Sequence, residues 1–382
     1  MTLTYNNNSY KKTMKKTYLI IAATALVALS ACTKNEVRPA SSDPQEITFQ
    51  TVVGPQTKAL SSTQSSFVGD KFKSYAWFLP QGNTWAANYA DAKRYISDAE
   101  ISKNSEGKWK AANAYYWPKQ GSLTFFSWTK LGTDNKANFE NAAVDCSNNN
   151  GIVITNYSVV TNKNQDLMVA DYAADKTENK TTYQTDGVPT LFRHKLTKVG
   201  VQLAINKPYL ADANATTRSI GDKVFKVKSV SFNNIASEGI YTQGHDGSTD
   251  SWAASTTTGP TAVFNGEQAL NTTLASVKDA DAQFIFLPQD FTASADSKEN
   301  SKNETVANLK IVYTIDTYYT ATDYSTEEVT IVRSLENPTA AAGSQKWEKN
   351  KDIVYKITIG LDEILWDPAV EDWTSETYDI SL

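Results

Sequence analysis

The chain has 382 residues, a formal net charge of −5 and 21% charged residues. That mild acidity offers no basic stripe, so the composition argues against nucleic-acid binding. The 19 tyrosines, 14 phenylalanines and 9 tryptophans, among frequent Thr, Ser, Val and Asn, favour strands joined by polar loops.

The first organised stretch is Met14 to Cys32, MKKTYLIIAATALVALSAC. Lys15 and Lys16 give a positive start, and Tyr18 to Leu29 is an apolar run of about a dozen residues, too short to span a bilayer. It closes on Leu29-Ser30-Ala31-Cys32, which has the form of a bacterial lipobox. A buried core helix with a chance cysteine is the competing reading. The order of basic start, short apolar run and lipobox argues against it. The expectation is a signal peptide over residues 1–31, with Met14 a better start than Met1, and a mature chain beginning at a lipid-bearing Cys32 outside the cytoplasm. Several acyl chains bury far more CH₂ groups than one myristoyl chain, so such an anchor is durable. No later apolar run is long enough to cross a membrane. With Cys32 acylated, only Cys146 remains, which excludes an intramolecular disulfide. Cys146 reads as a buried small residue rather than a nucleophile.

About 350 residues remain after the signal, enough for two domains. Thr33 to Pro44 is a polar tether, with 32–45 as the lipid-anchored segment. Glu46 to Val53 alternates, placing Ile47, Phe49, Thr51 and Val53 on one side, as a strand does. Gly54-Pro55 ends it. Lys58-Ala59 follows in a polar segment and is an accessible cleavage site. Strands are expected at Lys73–Leu79, Tyr95-Ile96, Lys108–Lys110, Ala114–Trp117, Leu123–Trp128, Ile152–Ile154 and Asp166–Ala170, with a turn or two of helix within Asn88–Arg94. Asp134–Asn150 reads as a long loop and Asp171–Asp186 as a link. In the second half, Val199, Val201, Leu203 and Ile205 share one face. Val224–Phe232 changes phase near Ser229, the mark of a bulge. Phe284–Leu287, Leu309–Ile315, Val329–Val332, Ile353–Ile359 and Ile364–Trp366 complete the pattern, and Tyr378, Ile380 and Leu382 alternate at the end. Many short strands with turns between them indicate an all-β protein of antiparallel β-sandwiches. The expected division is an N-terminal sandwich over 46–187, with a first strand and its connection at 46–58, and a C-terminal sandwich over 188–382.

Residues suited to catalysis are sparse. The chain has two histidines, His194 and His245. His194 lies between Arg193 and Lys195 and reads as structural; His245 lies in a polar loop with no companion for a metal site. Asp362-Glu363 and Glu371-Asp372 are adjacent pairs whose members point to opposite faces of a strand. There is no phosphate loop, HExxH or GxSxG motif. The reading is therefore no enzyme, no cofactor, no metal and no catalytic residue. Two other functions stay open. One is a surface lipoprotein that binds glycans on exposed tryptophans, with Trp77, Trp85, Trp109, Trp117 and Trp128 as platforms, against which stands core packing. The other is a lipoprotein enzyme built from carboxylates distant in sequence.

Four features resemble the fimbrillin family, the type V pilins and related lipoproteins of Bacteroidales. They are the lipobox with a short strand and a basic site at Thr57-Lys58-Ala59; the block Tyr115-Tyr116-Trp117-Pro118 followed by Leu123–Trp128; the segment Phe192-Arg193-His194-Lys195-Leu196-Thr197-Lys198-Val199, similar to the family's His-x-Leu-x-Lys segment; and the close from Trp347 through Tyr355–Thr358 to Asp372-Trp373. The resemblance implies two transthyretin-like β-sandwiches and a structural or adhesive subunit of a cell-surface fimbria. It implies export to the outer membrane as a lipoprotein and cleavage by a maturation protease, which here falls after Lys58 where the best-known members use Arg. Other pilin subunits are the implied partners, through exchange of a strand, with 374–382 a candidate donor.

Overall fold

A computed structural model describes residues 44–53, 65–178, 187–206, 217–257, 261–279, 282–291, 306–335, 346–360 and 364–372. The first strands are β1 (Phe49–Val53), β2 (Ser65–Ser66), β3 (Lys71–Leu79), β4 (Lys93–Lys103), β5 (Trp109–Ala111) and β6 (Ser122–Leu131). Next come β7 (Ala143–Ser147), β8 (Gly151–Ser158), β9 (Asp166–Ala170), β10 (Ala173–Lys176), β11 (Val188–His194) and β12 (Thr197–Ile205). Then follow β13 (Lys223–Asn233), β14 (Ala236–Gln243), β15 (Asp250–Thr257), β16 (Thr261–Ala269), β17 (Ala275–Ser276) and β18 (Ile285–Phe286). The last are β19 (Gln289–Asp290), β20 (Asn308–Tyr318), β21 (Tyr324–Ser334), β22 (Lys346–Trp347), β23 (Lys351–Ile359) and β24 (Ile364–Asp372). The protein is all-β, with the β-sandwich architecture that alternation along the chain predicts.

The largest sheet runs β10-β6-β3-β4-β5-β1-β11-β9, with β2 paired to β1. Because β6 also pairs with β9, the path from β6 through β3, β4, β5, β1, β11 and β9 returns to β6. Closure of this kind removes the exposed edges of a sheet. β6 is buried at every position, which matches its nearly continuous apolar and small-residue run. Its Leu123, Phe125 and Leu131 join one core with Ile47, Phe49, Phe72, Trp109 and Phe192. Its Phe126 and Trp128 join a second core with Tyr75, Trp77, Trp85, Ile152, Ile154 and Tyr241. The second core lies against the sheet β15-β14-β8-β7. Strand pairing continues past residue 187, since β11 joins the first sheet, β14 joins β8, and β15 pairs with β14.

A third core fills the space between β17-β12-β23-β24 and β16-β13-β20-β21. Val199, Val201, Leu203 and Ile205 face it as their spacing predicts, opposite Phe225, Val227, Val230 and Phe232. The register of β13 shifts between Val227 and Ser229 against both neighbours, so the phase change at Ser229 is a bulge. β12 and β23 run parallel over eight residue pairs.

Several local expectations shift. The helix occupies Trp85–Asn88 and passes into a 3-10 turn at Tyr89–Asp91, earlier than Asn88–Arg94. A distant side chain sets its start: the Trp85 N–H donates to Asp175 Oδ1 at 2.9 Å. Ala92 is already extended and Lys93 pairs with Phe78. The stretch Asp134–Asn150 is not all loop, because Ala143–Ser147 pairs with β8. The segment from Asp171 holds β10, paired to β6. Ala114–Trp117 contributes a single bridge, Tyr116 with Glu46. β14, β15 and β16 are strands whose Ser, Thr, Ala and Gly content hides any alternation.

Candidate assembly site

β1 is held between two neighbours of different character. It pairs in parallel with β11 over five positions, from Phe49 opposite Val188 to Val53 opposite Phe192. On the other side it meets β5 at one position, Phe49 opposite Trp109. Contacts just before β1 extend that side: the Ile47 N–H donates to Tyr115 O at 2.8 Å, and Glu46 pairs with Lys110 at 3.1 Å. Val52 and Val53 pair with Ser66 and Ser65 of β2. Lys58 and Ala59, between β1 and β2 in sequence, fall outside the described residues.

The inward face of this strand supplies Ile47, 2% exposed, and Phe49, 4% exposed. The Phe49 ring stands edge-on to Phe72 and Phe125, at 5.5 and 5.7 Å between centroids. Such edge-to-face pairs add to area burial. Gly187 lets the backbones approach: a Cβ there would lie 2.9 Å from Phe49 C and 3.1 Å from Gln50 N, and its φ is +134°. Without β1, β5 and β11 would face each other across a slot floored by aromatic rings.

Phe192–Lys198 carries the chain from β11 into β12; Arg193, His194 and Lys195 are buried, Lys198 is partly exposed, and each has an acidic partner. Arg193 holds Asp171 through two hydrogen bonds of 2.8 Å. His194 Nδ1 lies 2.7 Å from Asp166 Oδ2. The Lys195 ammonium, 2% exposed, reaches Asp250 at 3.1 Å. Asp250 also accepts from Tyr241 at 2.7 Å and pairs with Lys349 at 2.8 Å. Burial pushes the Asp250 carboxyl up, but Lys195, Lys349 and the Tyr241 hydroxyl together hold it low, at about 2. Burial pushes the Lys195 ammonium down, against the opposing pull of Asp250. The Lys195 carbonyl accepts from Trp252 Nε1 at 2.6 Å, and Lys198 pairs with Asp352 of β23 at 2.6 Å. This segment is structural: it bolts β11 and β12 to β9, β15 and β23. The sequence marks its basic side but not its partners Asp166, Asp171, Asp250 and Lys349, which lie far along the chain.

The remaining candidates resolve as follows. Trp77, Trp85, Trp109, Trp117 and Trp128 are between 1% and 7% exposed, so they pack the cores and present no platform for sugars. Cys146 is 1% exposed, and burial pushes its thiol up to about 12. His245 stacks on Tyr89 at 3.7 Å between ring centroids, and its carbonyl accepts from Trp85 Nε1 at 2.8 Å. Among the described residues no group of three or more His, Cys, Asp or Glu could hold a metal ion, and no helix is long and apolar enough to cross a membrane. Cys32 and segment 374–382 lie outside the described residues.

The described residues define an all-β chain of β-sandwich architecture, with buried tryptophans and a first described strand seated between β5 and β11. A family model described as fimbrillin-like matches residues 57–373, and the chain belongs to that family. It is a fimbrial subunit, of a family that acts at the cell surface and assembles with other pilin subunits. The fold is similar to that of a fimbrial protein from Bacteroides vulgatus ATCC 8482, at 18% identity and TM-score 0.54, over 86% of this chain and 99% of that one. A structure of the tip fimbrial protein from Porphyromonas gingivalis with a C-terminal truncation aligns at 11% identity and TM-score 0.36, over 80% of this chain and 96% of that one. No curated protein matches the sequence.

Proposed function

We propose that this subunit is exported as a lipoprotein anchored at Cys32 in the outer membrane, cut after Lys58 by a maturation protease, and polymerised by strand exchange at the β1 slot. The observation that carries the reading is the seat of β1, a short strand paired on both sides whose removal reopens an otherwise closed sheet. An opened sheet offers unpaired N–H and C=O groups beside an apolar slot, a template for another strand. The incoming strand would run parallel to β11 and place apolar side chains where Ile47 and Phe49 now sit. Segment 374–382 has that alternation in Tyr378, Ile380 and Leu382. The division into sandwiches over 46–187 and 188–382 belongs to the same proposal, with β11, β14 and β15 lent across it.

The test is limited trypsin on the purified full chain, followed by sequencing, electrophoresis and negative-stain microscopy. The first stable fragment is expected to begin at Ala59, and treated protein to form detergent-resistant ladders that a deletion of 374–382 abolishes. Monomers after a confirmed cut would overturn strand exchange by this subunit, and a first cut elsewhere would overturn Lys58 as the processing site.

A further inference from the structure

The chain between β6 and β7 forms most of a cleft of about 750 Å³. Pockets that hold small ligands run from about 300 to 1,000 Å³. Asp134, Lys136, Asn138, Phe139 and Glu140 line it, joined by Gln165 just before β9. The loop is ordered without a ligand. The Gly132 N–H donates to Lys136 O at 2.9 Å, and the Asn138 N–H to Lys130 O at 2.8 Å. The Ala137 N–H reaches Asp70 Oδ1 at 2.8 Å. Asp134 Oδ1 accepts from the Lys136 N–H at 3.0 Å, and Asn138 Oδ1 from the Glu140 N–H at 2.9 Å. Lys130 of β6 is 0% exposed, and its ammonium donates to the Glu140 carbonyl and to Asn162 Oδ1. Burial pushes this ammonium down to about 8. Burying a cation against a carbonyl and an amide is costly, and here it fixes the end of the loop. A wall ordered in advance loses little entropy when a ligand arrives.

We propose that this cleft binds a neutral saccharide, seated against the Phe139 ring and hydrogen-bonded by the polar side chains around it. The lining selects that class. The Phe139 ring stands at 77° to Trp128, with centroids 5.3 Å apart, and the Lys73 ammonium lies 5.2 Å from its centroid. A ring held in this way offers a fixed apolar surface to the C–H face of a sugar. Asp134 and Glu140 supply acceptors, Lys136 supplies donors, and the amides of Asn138 and Gln165 supply both. Sugar hydroxyls donate and accept, so they match a mixed set of this kind. Gln165 Oε1 is a buried acceptor with no hydrogen-bond partner, and a ligand hydroxyl would answer it. Two carboxylates against one ammonium disfavour an anionic sugar. None of these residues takes part in the β1 slot, so the site stands whether or not strand exchange does.

The experiment probes the purified full chain with a printed array of neutral and acidic glycans, then titrates the strongest binder by calorimetry. A neutral glycan is expected to bind in the micromolar to millimolar range. Amide hydrogen exchange is expected to slow within residues 132–140 when that glycan is present. Glu140→Ala changes an exposed side chain and is expected to weaken binding about tenfold, with the thermal midpoint of the free protein unchanged. Phe139→Leu keeps an apolar side chain but removes the ring, and is expected to weaken binding in the same direction. Phe139 also packs on the second core, so its variant is judged only if it folds; Glu140→Ala leaves that core alone and decides the matter by itself. Three results would overturn the inference. One is an array on which no neutral glycan is bound. Another is tighter binding of acidic glycans than of neutral ones. The last is undiminished affinity in Glu140→Ala.

Discussion

Replacing Asp250 by Ala removes the one carboxylate shared by Lys195, Lys349 and Tyr241. The Lys195 ammonium is 2% exposed and would be left as a buried cation without its counter-charge, beside a second cation on Lys349. Breaking one side of a buried pair costs about 3–5 kcal/mol. Water reaches Asp250 itself, which is 32% exposed, so the lower end, about 3 kcal/mol, is expected. Urea denaturation of the full chain at pH 7 measures it as a fall in midpoint at unchanged slope. A second variant, Lys195→Met with Asp250→Leu, removes both buried charges and is expected to recover most of the loss. Acid should imitate the single substitution. The folded carboxyl is held at about 2, below its ordinary 3.8. Its contribution is therefore complete above about 3.8 and disappears as pH falls through about 2. A loss below about 1 kcal/mol for Asp250→Ala, the range of a surface ion pair, would refute the claim that this pair bolts the strands together.

Trp347 is 1% exposed, touches the rings of Phe232, Phe286 and Phe291 at 5.1 Å each, and donates to the Tyr355 hydroxyl at 2.9 Å. Trp347→Ala is expected to cost about 3–5 kcal/mol in the same assay. Cys146 is expected to stay unmodified by a thiol reagent at pH 8 in the native protein, because burial holds its thiol at about 12, and to react fully in denaturant. Modification of the native protein at the rate of an unfolded thiol would contradict its burial. Metabolic labelling with a fatty acid is expected to mark the wild-type chain and not Cys32→Ala, and label retained on the variant would remove Cys32 as the anchor.

Strongly alternating segments were legible without a structure. Val199–Ile205, Leu309–Ile315 and Ile353–Ile359 are strands whose apolar faces line one core. A period of two in β-branched and aromatic residues has few other uses. The phase slip at Ser229 was legible for the same reason, since a bulge is an interruption of that period. Trp77, Trp117 and Trp128 stand close to aromatic residues that suit core packing, whereas Trp109 stands between Lys108 and Lys110 and only the fold shows its burial. Cleavage after Lys58 and lipidation of Cys32 are expectations from local sequence, and both residues lie outside the described residues.

Tertiary structure decided everything that depends on who stands opposite. β14 and β15 carry no clear pattern, and they are strands because β8 gives β14 an edge to pair with and β14 in turn gives one to β15. The helix begins at Trp85 because Asp175, ninety residues away, accepts its first N–H. The alternation of Ile47, Phe49 and Thr51 announces a strand but not its partners. Only the fold places that strand between β5 and β11, completing a ring that β6 and β9 close elsewhere. Partner choice is long-range, set by which surfaces and charges the whole chain brings together, and a local pattern holds no information about it.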